Sequence, residues 1–136
     1  MKTMLLLIEA YIYLGWARFL LFLPFPRVAP SLGSQLQETP YSLIPTNNTK
    51  LKNVRYAIRV VSSHTFWESK CLVKAIAGMK MLERRKIEST LYLGTAKDET
   101  AKLIAHAWLR SGPVYVSGAD VMNKFTEVMK FAKFMP

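Results

Sequence analysis

The sequence predicts an α+β fold in which a helix carrying the only cysteine packs on a small antiparallel sheet. Apolar residues recur at helical spacing in residues 51–63 and again in 72–83. Residues 87–94 and 104–110 are rich in residues typical of strands, and a Ser-Gly-Pro turn leads from the second of them into residues 114–117. The order is therefore a helix with the cysteine followed by three strands.

The N-terminal apolar run, residues 4–25, is long enough to span a bilayer. Glu9 and Arg18 interrupt it, and each would cost about 2.5–3.5 kcal/mol near the middle of a lipid-exposed helix. No small-residue cleavage pattern precedes Pro24, which argues against a signal peptide. We expect a helix or helical hairpin that packs on the domain on one side. A partner protein, or less favourably a membrane surface, would cover its other side.

Composition changes after this run. Five of the seven prolines fall within residues 24–50, where they prevent a long helix. We predict that residues 1–50 form an apolar helix and a connecting arm, and that residues 51–136 form the core. With 136 residues, the chain has room for one core. A net charge of +10 favours acidic partners without naming one, and a lone cysteine indicates a reducing compartment, the cytoplasm.

The lone cysteine, Cys71, lies at a predicted helix start. Ser69 is placed to cap that helix, which puts Cys71 at about the second helical position. The partial positive charge of the helix terminus, together with Lys70, would stabilise a thiolate, the reactive form of cysteine. The alternative is that Cys71 is a small buried hydrophobic residue.

A histidine lies on the second predicted strand. His106 and Trp108 share one face of it, whereas Ala105, Ala107 and Leu109 point the other way, and the small alanines beside the histidine leave its face open to a neighbour such as the helix of Cys71. The other histidine, His64, is predicted to lie in a loop. One cysteine and two separated histidines do not make a zinc site, and no glycine-rich phosphate loop is present. These residue types leave two possibilities, catalysis by the thiol or no catalysis.

Four stretches carry a family resemblance: Phe66–Ala77, Met81–Ile87, Thr90–Gly94 and Ala105–Gly112. In these the chain resembles the transglutaminase-like leader peptidases of lasso peptide biosynthesis. The resemblance extends over about residues 50–135, and the apolar helix before a proline-rich arm is also similar. It implies a papain-like core of the transglutaminase branch. It further implies a cysteine peptidase that removes the leader from a ribosomally made precursor peptide.

The resemblance also implies the roles of individual residues. Cys71 would attack the scissile carbonyl, and His106 would take the thiol proton and pass it to the departing amine. The backbone N–H of Cys71 would be an oxyanion donor. Relatives often carry glutamine where this chain has Lys74, a difference with no assigned effect.

At the third catalytic member this sequence departs from the family pattern. Relatives carry an aspartate about a dozen residues after the histidine, but that position is Gly118 here, and the nearest carboxylate is Asp120. We predict that Asp120 orients His106 if the strand bends back at a bulge. The alternatives are a backbone carbonyl, no side chain, or Ser117. Ser117 would lie opposite His106 if residues 111–112 form the turn.

The resemblance implies no cofactor, no metal and no nucleic-acid partner. It implies a precursor peptide as substrate, a separate small protein that recognises the leader, and an ATP-dependent lasso cyclase in the same pathway. Two other functions remain open: an acyl-transferring transglutaminase, and a non-enzymatic basic adaptor at a membrane or partner. A set of basic side chains is available to steer an acidic leader or partner. They are Lys50, Lys52, Arg55, Arg59, Arg84, Arg85 and Lys86.

Overall fold

A computed structural model describes residues 2–42, 45–64 and 71–135. Its helices are α1 (Lys2–Leu20), α2 (Phe25–Val28), α3 (Asn48–Ser62) and α4 (Cys71–Arg84), with 3₁₀ turns at Ala29–Leu32, Pro45–Asn47 and Ala119–Lys124. Its strands are β1 (Ser34–Gln35), β2 (Ser89–Lys97), β3 (Leu103–Ser111), β4 (Val114–Ser117) and β5 (Thr126–Lys133). The α+β prediction is confirmed, and both predicted core helices and all three predicted strands are present.

The strands form one antiparallel sheet in the order β1-β5-β2-β3-β4. β2 and β3 make its longest pairing, with Gly94 directly opposite His106. β4 pairs with β3 only from Leu109 to Ser111. The segment of β3 that carries His106 therefore lies beyond the end of β4. Its edge on that side has no strand partner within the described ranges, and we call this unpaired segment the open edge of β3.

The register of the β3–β4 hairpin corrects the predicted one. Ser117 lies opposite Leu109 and not opposite His106. The reason is that Ser111 itself pairs within the sheet, so the turn consists of Gly112–Pro113. One extra residue in β4 then shifts the register further, which is the effect of a β-bulge.

The two faces of the sheet differ in character because successive side chains point to opposite sides. The face toward α4 is apolar and buried, with Leu91, Ala107, Leu109, Val116 and Phe131 in the core cluster. The opposite face carries Thr90, Tyr92, Trp108 and Arg110. The proline-rich arm covers part of this second face, where both the amide and the hydroxyl of Thr39 bond to the Thr90 hydroxyl, at 2.9 and 2.7 Å.

Arg110 fixes the arm to this face. Its side chain is fully buried and donates to the carbonyl oxygens of Thr39, Pro40 and Gly112 at 2.8, 3.1 and 2.9 Å. It also donates from Nε to the hydroxyl of Tyr92 at 2.9 Å. A guanidinium has five donors, so one side chain bonds to several carbonyls at once, including that of the buried Thr39.

α1 packs on α3 and α4 through its small and apolar residues Ala10, Leu14 and Ala17, all buried. Glu9 joins the helices more specifically: its two oxygens accept from Arg85 at 2.7 and 2.6 Å, and Arg84 lies 3.0 Å away. The predicted packing of this segment on protein is thus observed. The interrupting charge in the apolar run is the group that anchors it.

The outer side of α1 is exposed and apolar, with Leu5, Ile8, Ile12, Trp16 and Phe19 all about half exposed or more. By length and composition alone, the helix also qualifies as a membrane span over Thr3–Leu20, with a mean hydropathy of 1.3. Helices in the cores of soluble proteins pass the same test, although only 17% of this window is buried.

Candidate functional site

Cys71 is the first described residue of α4, and its side chain is half-buried. Its Sγ accepts a hydrogen bond from the backbone N–H of Ala107 at 3.4 Å. The first N–H groups of a helix have no partner within the helix, so the start of α4 presents donors beside the thiol. The predicted cap Ser69 and its neighbour Lys70 lie outside the described residues.

His106 is held by a backbone group. Its Nε2 lies 2.8 Å from the carbonyl oxygen of Gly118. A carbonyl can only accept, so Nε2 carries the proton, and in the neutral ring the lone pair is on Nδ1. The imidazole also lies between two aromatic rings, with centroid distances of 5.9 Å to Trp108 and 5.0 Å to Phe125. These contacts fix both the tautomer and the orientation of the ring.

The structure brings Cys71 and His106 to the same open edge of β3. The thiol bonds to the amide of Ala107, the residue that follows His106, and Gly118 accepts from the ring just past the end of β4. Their approach differs from the predicted one, since α4 packs on the face of Ala107 whereas His106 lies on the opposite face with Trp108. Among the described residues, Ala107 is the hydrogen-bond partner of the Cys71 thiol.

Gly118 allows this arrangement for a steric reason. Its φ is 79°, in the left-handed region that favours glycine. A Cβ added there would lie 2.4 Å from the carbonyl oxygen of Ala107 and 2.8 Å from Cβ of Trp108. The position twelve residues after His106 therefore has no room for a side chain, and its own carbonyl faces the histidine.

Asp120 lies two residues further on, in the first turn of the 3₁₀ segment, and is exposed. Its role as the third catalytic member stays a prediction. Of the alternatives to Asp120, the backbone carbonyl of Gly118 is the group that accepts a hydrogen bond from His106. Ser117 is displaced by the hairpin register, and its buried hydroxyl has no hydrogen-bond partner among the described residues.

Trp108, which stacks on His106, is itself supported by a polar network. Its ring lies 5.5 Å from that of Tyr92 at an interplanar angle of 9°. Burial, with a hydrogen bond to Tyr41, raises the pKa of Tyr92 well above its ordinary value of 10, despite the opposing effect of Arg110. Tyr92 thus stays neutral at physiological pH. The sequence pattern placed Trp108 beside His106 but gave no sign of Tyr92 or of Phe125.

A cleft of about 490 Å³ opens beside this edge, between α3, the first turns of α4 and the β4–3₁₀ connection. Gly118, Ser117 and Asp120 line one wall, and Lys74, three residues after Cys71, lines another. The described residues contain no group of three or more His, Cys, Asp or Glu side chains that could hold a metal ion.

The fold and the site together define a class of protein. It is an α+β domain in which a cysteine at a helix start lies beside a strand that carries a histidine. The transglutaminase-like superfamily domain matches residues 19–130, most of the chain. The protein belongs to the transglutaminase-like superfamily, whose members are usually cysteine enzymes, either peptidases or acyltransferases. No curated protein and no solved structure gives a significant match.

Proposed function

We propose that the protein is a cysteine peptidase that removes the leader from a ribosomally made lasso precursor peptide, aided by a separate leader-binding protein. Membership of the superfamily supports cysteine-based catalysis. The observation that carries the proposal is the thiol of Cys71 against the backbone of Ala107, beside a histidine whose Nε2 is committed to a carbonyl. The sequence resemblance supports the finer assignment to leader removal.

In the first half of the reaction, Nδ1 of His106 takes the proton of the Cys71 thiol, and the thiolate attacks the scissile carbonyl. The N–H of Ala107 stabilises negative charge on sulfur, because a donor to a charged acceptor makes a stronger hydrogen bond. The N–H of Cys71, at the helix start, is available to the oxyanion of the tetrahedral intermediate. Hydrogen bonds of this kind tighten in the Michaelis complex.

In the second half, the intermediate collapses, and the imidazolium gives its proton to the departing amine, which leaves as the new N-terminus of the core peptide. The acyl group of the leader remains on sulfur as a thioester. Water, deprotonated by His106, then attacks the thioester and releases the leader as a carboxylic acid and the free thiol. Throughout, the carbonyl of Gly118 holds Nε2–H and so keeps the same ring nitrogen available as base.

The wider setting is part of the same proposal. The new N-terminal amine would pass to an ATP-dependent cyclase that closes the lasso ring, and all components would act in the cytoplasm. The leader-binding protein would present the precursor to the open edge of β3. The exposed apolar side of α1 would serve as its docking surface, with membrane contact as the less favoured alternative.

The test is mass spectrometry of the precursor after incubation with the protein and its leader-binding partner. Hydrolysis predicts two fragments whose summed mass exceeds the precursor by one water, and Cys71→Ala should abolish them. An acyltransferase would instead join the leader's acyl group to an added amine without that gain. An intact precursor in the presence of folded wild-type protein and partner would overturn the proposal. So would full activity of the Cys71→Ala variant, which the adaptor hypothesis predicts.

A further inference from the structure

We propose that the cleft beside the open edge of β3 is a binding site for an acidic segment of the peptide substrate. The site is formed by Arg55 and Arg59 on α3 and Lys74 on α4. This inference rests on the proposed function for the ligand being a peptide. It adds to that function the position of the binding site and the negative charge of the ligand.

The cleft begins where the candidate chemistry is. Gly118 both lines the cleft and accepts the hydrogen bond from His106. Lys74 follows Cys71 by one helical turn, and residues three apart on a helix lie on the same side. Cys71 and His106 do not line the cleft themselves, but a peptide held at Lys74 and Gly118 would lie next to both of them along the chain or through a hydrogen bond. The cleft volume of about 490 Å³ is within the range of roughly 300–1,000 Å³ typical of ligand sites.

The cations in the cleft lack carboxylate partners among the described residues. Arg55 and Arg59 are one turn apart on α3, so their like charges repel. The other predicted basic cluster differs, because Arg84 and Arg85 are paired with Glu9. Of the two arginine pairs in the predicted basic surface, only that on α3 has its charge available for an incoming acid.

Polar groups in the cleft favour a peptide over a nucleic acid. Ser117 lines one wall of the cleft, although its hydroxyl is buried away from solvent and bonds to no described residue. Asp120 stands exposed on the same wall and would repel a continuous phosphate backbone, whereas a peptide can place one carboxylate away from it. A cleft with three cations and one carboxylate is suited to a peptide that carries an isolated Asp or Glu among polar residues.

The test uses full-length protein with Cys71→Ala, which removes cleavage from the measurement. Fluorescence anisotropy would compare a short labelled peptide carrying two Asp residues with the same peptide carrying Asn. We expect the acidic peptide to bind about tenfold more tightly or better, and Arg55→Gln with Arg59→Gln to abolish most of that preference. Both arginines are exposed, so the double variant should retain the fold, which circular dichroism would check.

The matched control is Lys97→Gln with Lys102→Gln, which removes two exposed cations of the β2–β3 hairpin that do not line the cleft and gives the same net charge. A loss of less than twofold in that control supports a specific site. Equal losses in the two double variants would overturn it, as would equal binding of the Asn peptide. A single-stranded oligonucleotide that binds as tightly, with the same dependence on Arg55 and Arg59, would also overturn the peptide assignment. Because this assay measures binding without cleavage, failure of the proposed binding site can be distinguished from failure of the proposed peptidase function.

Discussion

Nε2 of His106 donates to the carbonyl oxygen of Gly118 across 2.8 Å, so a main-chain atom orients the imidazole. In the triad pattern, a carboxylate or amide side chain has this task and can be removed by substitution. A main-chain acceptor is removed only by moving the chain. A carbonyl also carries no full negative charge, and therefore stabilises an imidazolium less than a carboxylate would.

The first prediction concerns Gly118. Gly118→Ala should destabilise the fold by about 1–3 kcal/mol, because φ is 79° and the new Cβ would meet the carbonyl of Ala107. Cleavage should fall as well, since relief of the clash moves the acceptor away from His106. Urea unfolding and kcat/KM would measure the two effects. Gly112→Ala, at φ 56°, is the matched control for left-handed backbone, and equal effects at both sites would contradict the proposed contact with β3.

The second prediction concerns Asp120. Because this side chain is exposed and the His106 Nε2 is already bonded to Gly118, Asp120→Asn should lower kcat/KM of precursor cleavage less than tenfold. A larger fall, above about 1.4 kcal/mol of barrier, would instead give Asp120 the orienting role that sequence spacing predicts. Steady-state cleavage rates decide between them, with unfolding curves to exclude a change in stability.

The third prediction concerns the buried arginine. Arg110→Met should lower the free energy of unfolding by about 3–5 kcal/mol, because three carbonyls and the Tyr92 hydroxyl lose their donor inside the protein. Urea denaturation would measure it. Arg27→Met, at an exposed position, is the control and should change little. A loss as small as that of the control would mean that the arm does not depend on Arg110.

The fourth prediction is a pH dependence. Burial opposes ionisation of Glu9, but hydrogen bonds from Arg85 and Arg84 outweigh it and hold the pKa of Glu9 below its ordinary value of 4.5. A carboxyl with a lowered pKa in the folded state contributes stability that is complete above pH 4.5. That contribution is lost as the pH falls through the folded-state pKa. The difference in unfolding free energy between wild type and Glu9→Gln should therefore be largest near neutrality and shrink in acid.

Glu99→Gln, at the exposed tip of the β2–β3 hairpin, controls for the change in charge. Its effect on the unfolding free energy at neutral pH should be small, because the side chain is exposed and makes no ion pair among the described residues. A Glu9→Gln difference that stays constant from neutral to acid pH would contradict the ion pair between α1 and α4.

Sequence patterns predicted the helices well, because the apolar residues of α3 and α4 recur at helical spacing. The strand of His106 was predicted from its residue types, although its burial increases along the strand and does not alternate. The patterns did not predict β5, whose exposed end and buried end do not alternate like a typical strand. Nor could they place Ser117, since one extra residue in β4 changes every pairing after it. Because α1 is apolar nearly all round, its sequence did not show which side packs on the domain: Ala10, Leu14 and Ala17 are buried, and larger residues such as Ile12 and Trp16 are exposed.

The functional site was likewise predicted only in part. Cys71 and His106 were readable as a thiol at a helix start and a histidine on a strand. The identity of the group on Nε2 was not, since a carbonyl leaves no residue type in the sequence. Gly118 was visible only as a missing aspartate, and its positive φ is the physical reason for a glycine there.

The place of β5 has a consequence for biosynthesis. It lies between β1 and β2 in the sheet, although it follows β4 along the chain. On the ribosome, the thiol helix and the histidine hairpin are therefore translated before the strand that completes the pairing of β2. Until residues 126–133 emerge, one edge of β2 has unpaired N–H and C=O groups that can join another strand. A nascent chain that stalls before β5 would carry both Cys71 and His106 with an incomplete sheet, in a form prone to aggregation.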